Sequence, residues 1–316
     1  MELRRLGKSD LKVAPLILGG NVFGWTADEA TSHAILDAFV DGGFNAIDTA
    51  DVYSRWAPAG AGSSERVIGS WLKASGKRDK VVIATKFGME MAEGKSGLSA
   101  AYMVECVEES LKRLRTDYID LYQAHRDDPD VPQEETAEAF DKLVKAGKVR
   151  VIGSSNFTPE RLQSALDLSE SKGYARYNSE QPLYNLYARD RFEGALQQTC
   201  IDNEVGVIPF SSLASGFLTG KYRTEEDLGK SPRGRGVKRM MDDRGMRILA
   251  ALDQVSAAHS VTQAQVALAW VMAQPGLTGP IASATSLEQL DELMGSARLK
   301  LTAEDLAALN KASNAD

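Results

Sequence analysis

Val81-Val82-Ile83-Ala84-Thr85-Lys86 and, one helical stretch later, Ile119-Asp120-Leu121-Tyr122-Gln123-Ala124-His125 share a form: a short apolar run closed by an ionisable side chain. Upstream, Phe44-Asn45-Ala46-Ile47-Asp48-Thr49-Ala50-Asp51-Val52-Tyr53 has the same form, with Asp48 at the strand end and Tyr53 just beyond it. Runs of this length, separated by helices, read as buried parallel strands. A strand that ends in a charge delivers it to the mouth of a sheet. In a parallel barrel all the mouths share one face, so residues distant in sequence converge there.

Outward from these three, further strands are expected at 16–19, 149–153, 177–181, 205–209 and 278–282, with the second strand at 45–47. Helical spacing of apolar residues marks 29–42, 64–75, 100–114, 134–146, 159–171, 190–203, 245–259, 262–273 and 286–295. Thr302-Ala303-Glu304-Asp305 resembles a capping box and opens a terminal helix over 302–312. Residues 3–6 and 11–13 flank Gly7-Lys8-Ser9-Asp10 as a hairpin. Eight strands alternating with helices predict an α/β fold of the (β/α)8 TIM-barrel type with an N-terminal β-hairpin and a C-terminal helix, a single domain over 1–316. A doubly wound sheet is the rival. Gly60-Ala61-Gly62-Ser63-Ser64-Glu65 lacks the third glycine of a dinucleotide fingerprint and follows a loop, which argues against it. The longest irregular stretch is 224–243, where a functional loop is expected.

The chain has 316 residues, 43% hydrophobic and 26% charged, enough for a large core. Its formal charge of −7 argues against nucleic-acid or anionic-membrane surfaces and favours small-molecule partners. Cys106 and Cys200 show no ligand spacing, so neither disulfides nor a metal site is expected. No run approaches the ~20 apolar residues of a membrane span, and a cytoplasmic location is expected.

A tyrosine has a pKa of about 10 and needs help to exchange protons near neutrality. A close ammonium from Lys86 stabilises the phenolate of Tyr53, and Asp48 is the natural counter-ion for a buried Lys86. His125 can then orient a substrate oxygen. Ser155, Asn156 and Gln181, at the ends of the fifth and sixth strands, offer the donors and acceptors that a carboxamide needs. Gly216 to Gly220-Lys221 is too short for a Walker loop, but its glycines allow a diphosphate to approach backbone amides.

Taken in order along essentially the whole chain, Asp48-Thr49-Ala50-x-x-Tyr53, Ala84-Thr85-Lys86, Gln123-Ala124-His125, Ile152-Gly153-Ser154-Ser155-Asn156-Phe157 and Glu180-Gln181-Pro182-x-Tyr184-Asn185 resemble the aldo-keto reductase superfamily, nearest the branch that includes the potassium-channel β subunits. The resemblance implies a catalytic set of Asp48, Tyr53, Lys86 and His125. It also implies hydride transfer between a nicotinamide and an aldehyde or ketone, or the reverse alcohol oxidation, with Tyr53 as proton donor. Cofactor contacts are implied at Gly20, Ser155, Asn156, Gln181, Ser211, Leu213, Gly216, Lys221, Arg235, Ser283, Thr285 and Gln289. Phe210 resembles the aromatic that stacks on the nicotinamide in relatives, or it is a core aromatic. Ser283 and Gln289 stand where some relatives carry Lys and Arg. NADP(H) is favoured, with Arg233, Arg235 or Lys238 replacing the lost charge, and NAD(H) is the rival. Trp25, Trp56, Phe87, Arg126 and Tyr184 either wall the substrate pocket or pack beneath loops; Arg126-Asp127-Asp128 either recognises a polar group or pairs internally. The competing reading is a nucleotide-binding regulatory module resembling the channel β subunits. The start of the chain almost at the hairpin and its acidic total favour the enzyme.

Overall fold

The computed structural model of the chain describes residues 2–55, 57–231 and 234–314. An antiparallel hairpin of β1 (Arg4–Arg5) and β2 (Lys12–Val13) comes first. There follow β3 (Ile17–Gly19), α1 (Glu29–Asp41), β4 (Ala46–Asp48), α2 (Ser63–Ser75), β5 (Val82–Phe87), α3 (Ala100–Leu114) and β6 (Ile119–Ala124). The alternation continues through α4 (Gln133–Lys145), β7 (Val149–Ser155), α5 (Pro159–Lys172), β8 (Tyr177–Gln181), α6 (Ala195–Asp202) and β9 (Gly206–Val207). The last elements are a helical turn α7 (Gly234–Val237), α8 (Asp243–His259), α9 (Gln263–Met272), β10 (Ile281–Ala282), α10 (Leu287–Ser296) and α11 (Ala303–Ser313).

Strands β3 to β9 run parallel in sequence order, and β10 pairs with β3. The sheet meets itself where Thr278 N donates to the Val207 carbonyl (2.8 Å) and Ile281 N to that of Pro209 (2.9 Å). The expected (β/α)8 barrel with its hairpin and terminal helix is what the chain forms.

Side chains alternate across each strand, and that period of two sorts the core into two shells. Inside the barrel, Ile17, Ala46, Ala84, Leu121, Val151, Ile208 and Ile281 pack with Leu6, Leu11 and Val13 of the hairpin, which plugs one end. Outside, Ile47, Ile83, Phe87, Tyr122 and Ile152 pack against the helices. Apolar filling closes the hairpin end, so inward residues at the C-terminal strand ends are left for chemistry.

Two expectations need correction. Helix α6 starts at Ala195 rather than 190, because Phe192 turns inward to pack on Tyr184 (ring centroids 5.1 Å). The stretch 224–243 is not irregular throughout: short helical turns occupy Glu225–Lys230, Gly234–Val237 and Lys238–Met240, the first opened by a capping box of Thr224 and Asp227. Trp56 and Arg233 lie outside the described residues. Among those described, no helix is long and apolar enough to cross a membrane.

Candidate active site

Beyond β4 the chain keeps hold of β5: Thr49 N donates to the Ala84 carbonyl (2.8 Å) and Asp51 N to that of Lys86 (3.1 Å). This adhesion turns the next residues back across the mouth and sets Tyr53 over Lys86. Ser54, in the left-handed region at φ 63°, anchors the turn by donating its hydroxyl to the Phe23 carbonyl (2.9 Å).

Lys86 is fully buried, and an ammonium has three protons to place. They go to Asp48 Oδ2 (2.8 Å), the Thr49 carbonyl (2.7 Å) and Tyr53 Oη (3.0 Å). From β8, Gln181 Nε2 donates to the other carboxylate oxygen of Asp48 (3.0 Å). The ammonium also lies 4.6 Å from the centre of the Tyr53 ring. Burial pulls the Lys86 pKa down, but Asp48 and Tyr53 together outweigh it and hold it above the ordinary lysine value.

For Tyr53 the balance corrects the expectation drawn from sequence. Burial raises the phenol's pKa, Lys86 lowers it, and the net direction is up. The lysine therefore limits the loss of acidity rather than producing an unusually acidic phenol, and Tyr53 carries its proton at neutral pH. His125 follows β6, and its ring stands edge-on to that of Tyr53 at 5.8 Å and 76°. Burial first, then the charges of Lys86 and Arg126, push its pKa down to about 3. It is a neutral imidazole at neutral pH, with its Nδ1 buried and unpartnered among the described residues.

A second cluster of polar groups lies beside this one. Ser155 Oγ donates to the Gln181 carbonyl (2.8 Å), while Asn156 Nδ2 donates to Ser155 Oγ (2.9 Å) and to the His125 carbonyl (3.1 Å). Asn156 sits in the left-handed region at φ 58°, which points its exposed amide across the mouth. The half-buried Phe210 stacks on no other described ring; its backbone N donates to the Pro182 carbonyl (3.0 Å). Past it lies a tight segment in which Ser211, Ala214, Ser215 and Gly216 all have positive φ, with Ala214 N donating to the Ser211 carbonyl (2.8 Å) and Gly216 N to that of Leu213 (2.9 Å). Lys221 leans over it: a Cβ on Gly216 would lie 3.3 Å from Lys221 Nζ. Leu213 is half-buried in the same segment.

At β10 the set is uncharged. Ser283 Oγ donates to Asn21 Oδ1 (2.6 Å), and Gln289 Oε1 accepts from Thr285 N (2.9 Å) and Thr285 Oγ1 (3.1 Å). Arg235, on α7, is exposed with no described ion pair, whereas Lys238 pairs with Glu225 (2.9 Å). Gly20 N donates to the Asp48 carbonyl (2.7 Å), which ties β3 to the site.

Two expected pocket residues are not brought to the mouth. Phe87 is one step from Lys86, so its side chain faces the opposite side of β5, where it stacks on Tyr122 at 5.1 Å. Tyr184 is wholly buried against Phe192 and Trp270, and its hydroxyl donates to Glu193 (2.7 Å). Trp25 is half-buried, and Arg126 is exposed beside His125. The alternatives for Arg126-Asp127-Asp128 divide: Asp127 receives a bidentate pair from Arg161, Asp128 receives Leu98 N, and Arg126 has no described ion pair.

Sequence reasoning passed over two buried acids. Asp51, read as a spacer before Tyr53, has both carboxylate oxygens unpartnered among the described residues, and burial, then Glu65, raises its pKa well above the usual range. Glu180, beside Gln181, is fully buried on the outer face of β8. For Glu180 the sequence shows an acid within a buried strand but not its lack of a cation; Asp51, in the turn after β4, carried no such signal.

The model of the Aldo/keto reductase family matches residues 15–314. An uncharacterized oxidoreductase, YrpG of Bacillus subtilis, is 36% identical over 98% of this chain and 95% of its own length. The aldo-keto reductase YhdN of the same organism is 36% identical over 93% of this chain and 86% of its own. The L-glyceraldehyde 3-phosphate reductase of Escherichia coli O157:H7 is 32% identical over 98% and 92%. A barrel with these relatives is an oxidoreductase enzyme, and they do not favour a regulatory module. The chain belongs to the aldo/keto reductase family, whose members use NAD(P)H and act on small carbonyl compounds.

The low pKa of His125 has two consequences. Unfolding lets the ring take up a proton that the folded site refuses, so stability falls as pH drops from 6.5 toward about 3. Its ring-proton NMR shifts should stay constant between about pH 5 and 8, where free imidazole titrates; a midpoint near 6.5 would contradict the geometry.

Proposed function

We propose that the chain is an NAD(P)H-dependent carbonyl reductase in which Tyr53 donates the proton, and that the reaction also runs in reverse on alcohols. One observation carries this reading: a fully buried Lys86 ammonium hydrogen-bonded to both Asp48 (2.8 Å) and Tyr53 Oη (3.0 Å).

The residues present fit a nicotinamide dinucleotide. The hydroxyl and amide groups of Ser155, Asn156 and Gln181 suit a carboxamide, and the free face of Phe210 suits a flat ring. The tight segment of Ser211, Leu213 and Gly216, with the Lys221 ammonium above it, suits a diphosphate. Ser283, Thr285 and Gln289 suit an adenosine, with Gly20 at the floor and Arg235 free for a 2′-phosphate. When bound, the cofactor supplies a hydride to the carbonyl carbon.

The chain's own groups then have distinct tasks. Tyr53 gives its proton to the carbonyl oxygen as negative charge develops there, and Lys86 stabilises the phenolate left behind. Asp48 keeps Lys86 charged, and Gln181 holds the far oxygen of Asp48. His125, neutral and fixed by the strand end, orients the substrate oxygen without competing for its proton.

The substrate side combines the half-buried aromatic Trp25 with the guanidinium of Arg126, which has no described ion pair. We read this as a site for a carbonyl compound that carries an anionic group. The Escherichia coli relative named for L-glyceraldehyde 3-phosphate supports that class.

Three outcomes test the proposal. Tyr53→Phe should lower kcat by about 10²–10⁴-fold and leave NADPH affinity unchanged; wild-type turnover in this variant would remove Tyr53 as donor. Arg126→Ala should raise KM about tenfold for phosphorylated or carboxylated aldehydes, as expected for one lost charge-assisted contact, and spare neutral ones. Equal effects on both substrate groups count against an anion site. Fluorescence titration at fixed salt should give tighter binding of NADPH than NADH, with the difference lost in Arg235→Ala; tighter NADH binding would assign the uncharged β10 end to NAD instead.

A further inference from the structure

Glu180 lies between Ser179 and Gln181 on β8, and its side chain takes the outer face while that of Gln181 takes the inner. It is fully buried, with no ammonium or guanidinium contributing to its charge balance among the described residues. Its carboxylate instead gathers neutral donors from the end of β7. Ser154 Oγ donates to Oε2, and Phe157 N donates to Oε1 (3.3 Å). The Asn156 N–H, which also reaches the Gln181 carbonyl (3.3 Å), faces the same carboxylate.

These donors surround one bend. Asn156 holds a left-handed backbone at φ 58°, a region that non-glycine residues enter chiefly where local hydrogen bonds hold them, asparagine among the most readily. The same bend sets the Asn156 side chain on Ser155 Oγ and on the His125 carbonyl. We infer that Glu180 is a positioning residue: its ionised carboxylate locks the Ser155–Asn156–Gln181 corner in the geometry that holds the cofactor amide. This inference rests on the proposal that the corner binds nicotinamide.

Burial pushes the Glu180 pKa up to about 7, against the pull of Ser154, Phe157 and Asn156. The titratable group facing it is the buried Cys200 thiol of α6, itself pushed up by burial and by Glu180 and therefore neutral. Below neutrality Glu180 takes a proton, loses acceptor capacity, and releases the bend. The folded pKa lies above the ordinary glutamate value of 4.5, so ionising Glu180 lowers stability as pH rises through about 7.

Glu180→Gln mimics the protonated acid and separates the two roles. NADPH dissociation constants are measured for wild type and E180Q from about pH 5.5 to 8.5, and the ratio at each pH cancels the cofactor's own phosphate titration. The ratio should be near one at the acid end and rise to about tenfold at the alkaline end, the scale of one hydrogen bond to a charged group. E180Q should also melt higher than wild type at alkaline pH. Ser154→Ala, which removes one donor, should move the wild-type midpoint to higher pH. A ratio independent of pH, or an E180Q that is less stable at alkaline pH, assigns Glu180 a purely structural role and overturns the inference. NADPH binding that ignores Glu180 leaves the cofactor site standing, whereas no NADPH binding by wild type at any pH removes both.

Discussion

An ammonium taken out of water costs several kcal/mol unless its charge and each of its protons are matched. Lys86 meets that condition only because β4, β5 and the turn after β4 come together at one point, supplying Asp48, the Thr49 carbonyl and Tyr53. The demand reaches further, since Asp48 must also be held and Gln181 reaches over from β8 to do so. One buried cation thereby ties nonadjacent strands to a single register, and the phenol is placed as a by-product of satisfying it.

The barrel provides this point through its alternation. Inward residues two steps below the site are apolar and pack on the hairpin, so the charged layer rests on a dry floor. Outward residues anchor the same strands to the helices, and Glu180 extends that outer layer into the chemistry by gripping the loop after β7 from behind. Among the described non-glycine residues with positive φ, Ser54, Asn156, Ser211, Ala214 and Ser215 lie on the loops that rim the mouth, while Arg115, Glu204 and Ser260 follow helix ends. The regular elements beneath carry the stability that permits them.

The strands that end in Asp48, Lys86 and the approach to His125 were legible because a short apolar run closed by a charge seldom arises except where a buried strand meets the mouth of a sheet. The hairpin, most helix starts and the eight-strand count followed from the same periodicities. Phe87 was misplaced because neighbours on a strand face opposite sides, and Tyr184, beyond the end of β8, because its packing on Phe192 and Trp270 is a property of the fold. The direction of the Tyr53 shift was illegible because it depends on how much burial opposes one ammonium, and burial is a property of the fold. Asp51 and Glu180 stayed hidden for a related reason: nothing in a sequence distinguishes a solvated acid from one enclosed without a cation. Arg126 was recognised only as ambiguous until Asp127 and Asp128 were seen to be engaged elsewhere.

The central claim is that Asp48, Lys86 and Tyr53 act as one unit through a shared ammonium. A double-mutant cycle on the single-turnover rate of hydride transfer, with Asp48→Asn and Tyr53→Phe alone and together, tests it most directly. If the carboxylate works through the lysine on the phenol, the double variant should be no slower than Tyr53→Phe by itself. Losses that simply multiply would mean that the carboxylate and the phenol act independently, and the account of the site would fail.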